Sequence, residues 1–251
     1  MLKHGAWLSA THEENYGRLF KKQSIGCPIC WSGSRALYER ANALATRNLD
    51  VYQFGVYTGG SMHGIARRVR GFGHMWGFDS FTGLPRETEG LRLEGKHWRP
   101  GGFSAADALG EWRLSALMAN IKKRIGFRNA TLIPGYFNES LTAALRSQYP
   151  FQPALLVDVD VDLHVSALEC LTWMFEQRLV VAGTIVRYDD WRSFGQRHGE
   201  GLAHRQITRR FNVTWLNLGG DWMNPREWQV VRVGTPSAAA SPTEMVPRGE
   251  A

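Results

Sequence analysis

The sequence predicts an α/β fold, a seven-stranded, mostly parallel sheet flanked by helices, and three observations carry that expectation. The segment Val51-Tyr-Gln-Phe-Gly-Val-Tyr-Thr-Gly-Gly-Ser61 reads as an apolar strand entering a glycine-rich turn and then a helix. Trp76-Gly-Phe-Asp-Ser-Phe-Thr-Gly-Leu-Pro85 reads as a second strand ending in an acid. Beyond them, apolar runs alternate with helical patterns, the signature of strand–helix–strand units in a parallel sheet. Glycines at 55, 59 and 60 let backbone approach a ligand closely. Asp79, at the tip of the second strand, is placed to accept hydrogen bonds from a ribose diol. Turn plus acid is the layout of a nucleotide-type cofactor site.

In chain order, residues 1–46 are helix-prone and aromatic, with helical spacing over Ser34–Leu44, and form an N-terminal helical cap. Strands are expected at 50–55, 74–79, 130–134, 154–160, 183–188, 212–218 and 228–233, and helices at 61–70, 105–125, 138–148, 166–178 and 200–210. Gly219-Gly220 and Asn224-Pro225 separate the last two strands, so an antiparallel C-terminal hairpin closes the edge of a domain spanning 47–234. Residues 86–104 lack either periodicity, and a loop of that length in a compact domain is usually functional. Following the acid-tipped strand, it lies on the cofactor or acceptor side. The Ala-, Ser- and Pro-rich stretch 235–251 reads as a disordered tail.

The 251 residues suffice for one large α/β domain. No apolar stretch is long enough to span a bilayer, and Met1–Trp7 lacks the plan of a signal peptide. A cytoplasmic protein is the expectation. Thirty Lys and Arg against 23 Asp and Glu give a net charge of +7. The basic clusters at 67–70, 122–124 and 205–210 read first as a solvated face, and attraction to acidic substrates is the sharper reading. No nucleic-acid recognition motif accompanies them, so nucleic acid is not an expected partner. Cys27-Pro-Ile-Cys30 has no second pair at metal-ligand spacing and reads as structural, while Cys170 belongs to a helix's apolar face.

The second strong feature is Leu155-Leu-Val-Asp158-Val-Asp160-Val-Asp162-Leu-His164, paired with Ile185-Val-Arg-Tyr-Asp189-Asp190-Trp191. Both are apolar runs that end in carboxylates. Neighbouring parallel strands end on the same edge, where ligands bind, so Asp160 and Asp162 are expected near Asp189 and Asp190. Crowded carboxylates repel unless a cation neutralises them. A hard divalent ion with oxygen ligands, Mg²⁺ or Mn²⁺, answers that need. A single acid at a strand end also serves as a helix cap or turn residue; two clusters at successive strand ends favour metal binding or catalysis. Strand alternation puts Asp158 on the face of Asp160 and Asp162, as a candidate for cofactor or structural hydrogen bonds.

On these residues the chain resembles class I S-adenosylmethionine-dependent methyltransferases, and within them the macrocin O-methyltransferase group, which methylates sugar hydroxyls of antibiotics. The resemblance rests on Phe54-Gly-Val-Tyr-Thr-Gly-Gly-Ser61, Phe78-Asp-Ser-Phe-Thr-Gly-Leu-Pro85, Leu132-Ile-Pro-Gly-Tyr-Phe137 with Ser140-Leu141, Asp160-Val-Asp-Leu-His164 and Asp189-Asp190-Trp191. Trp98…Gly102-Phe103-Ser104 is similar to that family's acceptor-side loop. It implies a Rossmann-like domain in which Gly55, Gly59, Gly60 and Ser61 line the cofactor's methionine part. Gln53 and Tyr57 of the same turn count as cofactor-binding positions, Asp79 holds the ribose, and Ser80, Phe81, Tyr136 and Phe137 flank the adenosine. Asp160, Asp189 and Asp190 match the family's metal-binding acids, one of them also a general base. Two departures stand out: Gln53 replaces a glutamate that faces the cofactor's amino group, and His164 replaces a tyrosine. His164 is either a base or metal ligand, or a ring packed on the next helix.

The expected chemistry is methyl transfer from S-adenosylmethionine to a sugar or other small-molecule hydroxyl, with Asp160, Asp189 and His164 as catalytic groups and Asp160, Asp189 and Asp190 holding Mg²⁺ or Mn²⁺. Members of the family tend to associate through such caps, so a homo-oligomer is compatible with the resemblance. The rival readings are a nucleotide-sugar glycosyltransferase, a nicotinamide dehydrogenase and a cofactor-binding scaffold without activity.

Overall fold

The computed structural model describes residues 34–93, 98–191, 197–219 and 226–236. Its elements in order are α1 (Arg35–Leu44), β1 (Asp50–Phe54), α2 (Gly60–Arg68), β2 (Met75–Asp79), α3 (Ala105–Leu109), α4 (Leu114–Ile125), β3 (Ala130–Pro134), α5 (Phe137–Ser140), α6 (Ala143–Gln148), β4 (Ala154–Val159), α7 (His164–Glu176), β5 (Ile185–Tyr188), α8 (Gly199–Arg210), β6 (Val213–Gly219) and β7 (Arg226–Val233). The strands form one seven-stranded sheet in the order β3-β2-β1-β4-β5-β7-β6. The first five are parallel to one another, and β7 runs antiparallel to both β5 and β6, as expected of the closing hairpin.

Apart from one buried polar row, the central strands are apolar on both sides because helices cover both faces. Tyr52, Phe54 and Phe78 face one layer with Trp173, Phe175 and Ile207, while Val51 and Met75 face the other with Met62, Ile65 and Ile121. Phe54 and Phe78 stack with centroids 4.7 Å apart, and Phe151 meets Trp173 edge-on. Two expected helices are each divided. Gly110, at φ +61°, ends α3 in the left-handed conformation that glycine adopts without strain. Thr142 caps α6 by accepting from the Leu145 amide at 3.1 Å, which separates it from α5.

One face of the sheet carries a row of polar side chains. Gln53, Asp158, Arg187 and Glu227 are register partners across β1, β4, β5 and β7, and all are buried. The outermost, Glu227, accepts hydrogen bonds from the Ser34 amide (2.6 Å) and hydroxyl. Ser34 also caps α1 through the Leu37 amide, so this contact ties the described end of the cap to the sheet. Cys27, Cys30 and the rest of 1–33 lie outside the described residues, as do 237–251 of the expected tail. Cys170 is buried in the core as anticipated. No helix among the described residues is long and apolar enough to cross a membrane.

Candidate active site

The site begins where β1 ends. Gly55 sits at φ +84°, and a Cβ there would fall 1.7 Å from the carbonyl oxygen of Asp160. Only glycine lets the exit of β1 lie against the segment that follows β4, a contact continued by the hydrogen bond from Asp160 N to Phe54 O (2.9 Å). The turn then climbs through Val56 and Tyr57, whose amides both donate to Asp79 Oδ2 at 2.8 and 2.7 Å. Asp79 Oδ1 accepts from the Phe81 amide at 2.6 Å. The acid expected on a ribose therefore also folds the turn, with three backbone donors on its two oxygens. Burial pushes its pKa up, against those amides, which favour the charged form.

Gln53 lies beneath this turn, fully buried, and its Nε2 donates to the Gly55 carbonyl at 2.9 Å. Its buried Oε1 has no partner among the described residues, which leaves an acceptor of the kind a ligand ammonium needs. Gly59, at φ +84° and packed on Ile121 and Ile125, leads into Gly60 and Ser61 at the start of α2. The free amides of that helix end suit an anionic group. Beside the turn, a cleft of about 270 Å³ is lined by Ser80, Phe81, Trp112, Leu117, Pro134 and Gly135. It is mostly apolar and open to one side, suited to a flat heteroaromatic ring. Thr82 Oγ1 reaches the Tyr136 hydroxyl at 3.4 Å along its rim, whereas Phe137 meets Phe54 edge-on at 5.6 Å and braces the core.

The acids meet at the same edge. Val159 and Tyr188 are register partners, so the next residues, Asp160 and Asp189, emerge side by side. Asp160, Asp189 and Asp190 each present a carboxylate oxygen, and these atoms all lie within 4.8 Å of one another. Burial first, then the charges of Asp189 and Asp158, pushes Asp160 well above the usual carboxylate range. Asp190 is raised in the same way, by burial and then by Asp162 and Glu200. An oxygen-only set of mutually repelling carboxylates fits a hard divalent cation. Ser61 Oγ approaches Asp160 Oδ2 at 3.4 Å, joining the turn to the cluster.

Three expectations change. Asp162 does not share a strand face with Asp158 and Asp160, because β4 ends at Val159 and Asp162 takes φ +59°. Its Oδ1 accepts from Trp98 Nε1 at 3.0 Å, and its carboxyl lies against that of Asp190. Asp158, fully buried, is gripped by the Arg187 guanidinium, the structural one of its two anticipated roles. His164 opens α7 with its ring turned to α8, where Nε2 meets Gln206 Oε1 at 2.7 Å. It stands outside the acid group, so the packed-ring alternative describes it and neither the base nor the ligand role has support in the geometry.

Four supporting residues were given no individual role in the sequence. Glu200 on α8 accepts from Val161 N (3.2 Å) and Asp190 N (3.0 Å), clamping both acid-bearing loops. Glu87 accepts from His164 N (2.6 Å) and Val165 N (3.1 Å), fastening the segment after β2 to the start of α7. Trp98 ties its own segment to Asp162. Arg187, a charge within an apolar strand, was the visible anomaly; Glu200 at a helix start was indistinguishable from an acid that merely complements the helix dipole.

No protein-family model matches the chain, and no curated protein does. Solved structures match it in fold. The O-methyltransferase NovP aligns over 78% of this chain and 78% of its own, with 21% identity and a TM-score of 0.55. Cofactor-bound Rv0187 from MTB covers 91% of this chain and 94% of its own at 14% identity and a TM-score of 0.49. The O-methyltransferase from Bacillus cereus in complex with SAH covers 88% and 91% at 12% identity, TM-score 0.46. With its strand order and closing antiparallel hairpin, the molecule shares a Rossmann-like fold with NovP.

Proposed function

We propose that the protein is an S-adenosylmethionine-dependent O-methyltransferase that uses a divalent metal and acts on a hydroxyl of a sugar or other small natural-product acceptor. The observation that carries this reading is the contact between Gly55 and Asp160, which sets a cofactor-type turn directly against a three-acid cluster. The likeness in fold to NovP, an O-methyltransferase, agrees with it.

The cofactor supplies a sulfonium methyl group, and the protein supplies alignment. The turn at 55–61 receives the methionine part, with Gln53 Oε1 as an acceptor for its ammonium group, and the cleft beside Ser80 and Pro134 takes the adenine. Asp160, Asp189 and Asp190 would hold Mg²⁺ or Mn²⁺, which would supply a Lewis acid for the acceptor hydroxyl. Asp160, which lies against the glycine turn at Gly55, is the carboxylate placed to take the hydroxyl proton. Trp98 and Glu87 tie the chain on either side of 94–97 to this edge, which would help orient the acceptor hydroxyl toward the methyl group.

Calorimetry should show S-adenosylhomocysteine binding and no binding of uridine diphosphate, the ligand of the glycosyltransferase alternative. With a panel of sugar and catechol acceptors, methyl transfer should fall with a chelator and in Asp160→Ala and Asp189→Ala. Unchanged turnover in all three removes the metal; binding of uridine diphosphate alone removes the methyltransferase.

A further inference from the structure

Resting on that reading of the acid cluster, we infer that the buried Asp158–Arg187 pair is the device that aims Asp189 at the ion, making Arg187 a positioning residue. Arg187 lies inside β5 with its side chain 1% exposed, while Asp189, two residues on, is 38% exposed at the sheet edge. One terminal nitrogen of the guanidinium donates to Asp158 Oδ1 and the other to Asp189 Oδ1. The planar fork fixes both directions at once, which a lysine ammonium cannot do.

The placement of the pair explains its chemistry. Asp158 is one pleat inside β4 from Asp160, fully buried, and absent from the group of acids that converge at the edge. A carboxylate so placed serves the guanidinium: it locks the fork and cancels its charge, so the pair adds orientation at the cluster and almost no net field. A guanidinium without Asp158 would repel a divalent ion, and Asp189 without the guanidinium would rotate freely toward solvent. With one oxygen engaged by Arg187, the other oxygen of Asp189 is left for an ion. Groups that hydrogen-bond to metal ligands typically govern affinity by about 10–100-fold.

The test is Mn²⁺ binding by the full chain saturated with S-adenosylhomocysteine, read by calorimetry and by electron paramagnetic resonance of the bound ion. The double variant D158N/R187M removes both members of the buried pair and leaves the net charge unchanged, so an altered affinity reports orientation. The expected result is a loss of about 10–100-fold in Mn²⁺ affinity and a changed zero-field splitting, with S-adenosylhomocysteine affinity retained. R187K, which keeps the charge but not the fork, should lie between wild type and the double variant and covers the case in which the double variant does not fold. Mn²⁺ binding within threefold of wild type in either folded variant, or tighter binding in the double variant, overturns the inference. Wild-type protein that binds S-adenosylhomocysteine but no Mn²⁺ overturns the metal reading, and this role with it.

Discussion

Glu200 offers the sharpest test of how the acid-bearing loops are held. Its two carboxylate oxygens accept the amides of Val161 and Asp190, one in each loop, and the residue is 1% exposed. Glu200→Ala strands two buried N–H groups, each worth about 1–3 kcal/mol when unsatisfied. Part of that loss is returned, because burial pushes the Glu200 pKa well up and its removal relieves the crowding of carboxylates. The net expectation is a destabilisation of about 2–4 kcal/mol, measured by urea unfolding with an unchanged slope. Glu200→Gln keeps one oxygen but turns an amide N–H toward a backbone N–H, so roughly half the loss is expected. Mn²⁺ affinity should fall in both variants, since Asp190 and the residue after Asp160 lose their anchor. An alanine variant less than about 1 kcal/mol below wild type would refute the clamp, since that is below the smallest value for one stranded amide.

Two further outcomes follow from the same geometry. Asp160, Asp162, Asp190 and Glu200 have folded pKa values raised above the unfolded range near ~4. Their contribution is therefore fully present below about pH 4 and is lost as pH rises through the folded values. The metal-free melting temperature should decline with rising pH over that window, and the gain from saturating Mg²⁺ should grow from nothing near pH 4 to a plateau; circular-dichroism melts from pH 4 to 8 check this, and a pH-independent gain contradicts it. His164→Gln should transfer methyl groups within about threefold of wild type while losing ~1 kcal/mol of stability with the Gln206 hydrogen bond; a hundredfold slower variant would reinstate the histidine as a base.

Local pattern made much of this fold readable. Apolar runs broken by glycine or aspartate marked the central parallel strands, because a sheet covered on both faces needs hydrophobic segments there. The convergence of Asp160 and Asp189 followed from parallel pairing alone, since register partners leave the sheet together. What stayed hidden depends on direction rather than composition. Nothing in Asp160-Val-Asp162 says that the chain turns to φ +59° at the second acid and sends it to Trp98. The orientation of His164 was undetermined because its partner, Gln206, is 42 residues away on another helix. Gly110 was a legible stop signal inside the run at 105–125, overridden there by apolar residues on both sides.

The polar row across Gln53, Asp158, Arg187 and Glu227 also acts as an alignment mark for assembly. Parallel apolar strands are poorly distinguished from their own slipped versions, since valine beside leucine is nearly as good as leucine beside valine. In the observed pairing Asp158 stands opposite Arg187, whose next partner is Glu227. Sliding β5 by one residue would turn its guanidinium into the aromatic layer around Tyr52 and Phe54, and sliding by two would part it from Asp158. Either mismatch leaves buried charge uncompensated, which is costlier than any apolar mispairing. A few buried charges in the middle of the sheet thereby give the strands one correct address, and the carboxylates at its edge arrive together because of it.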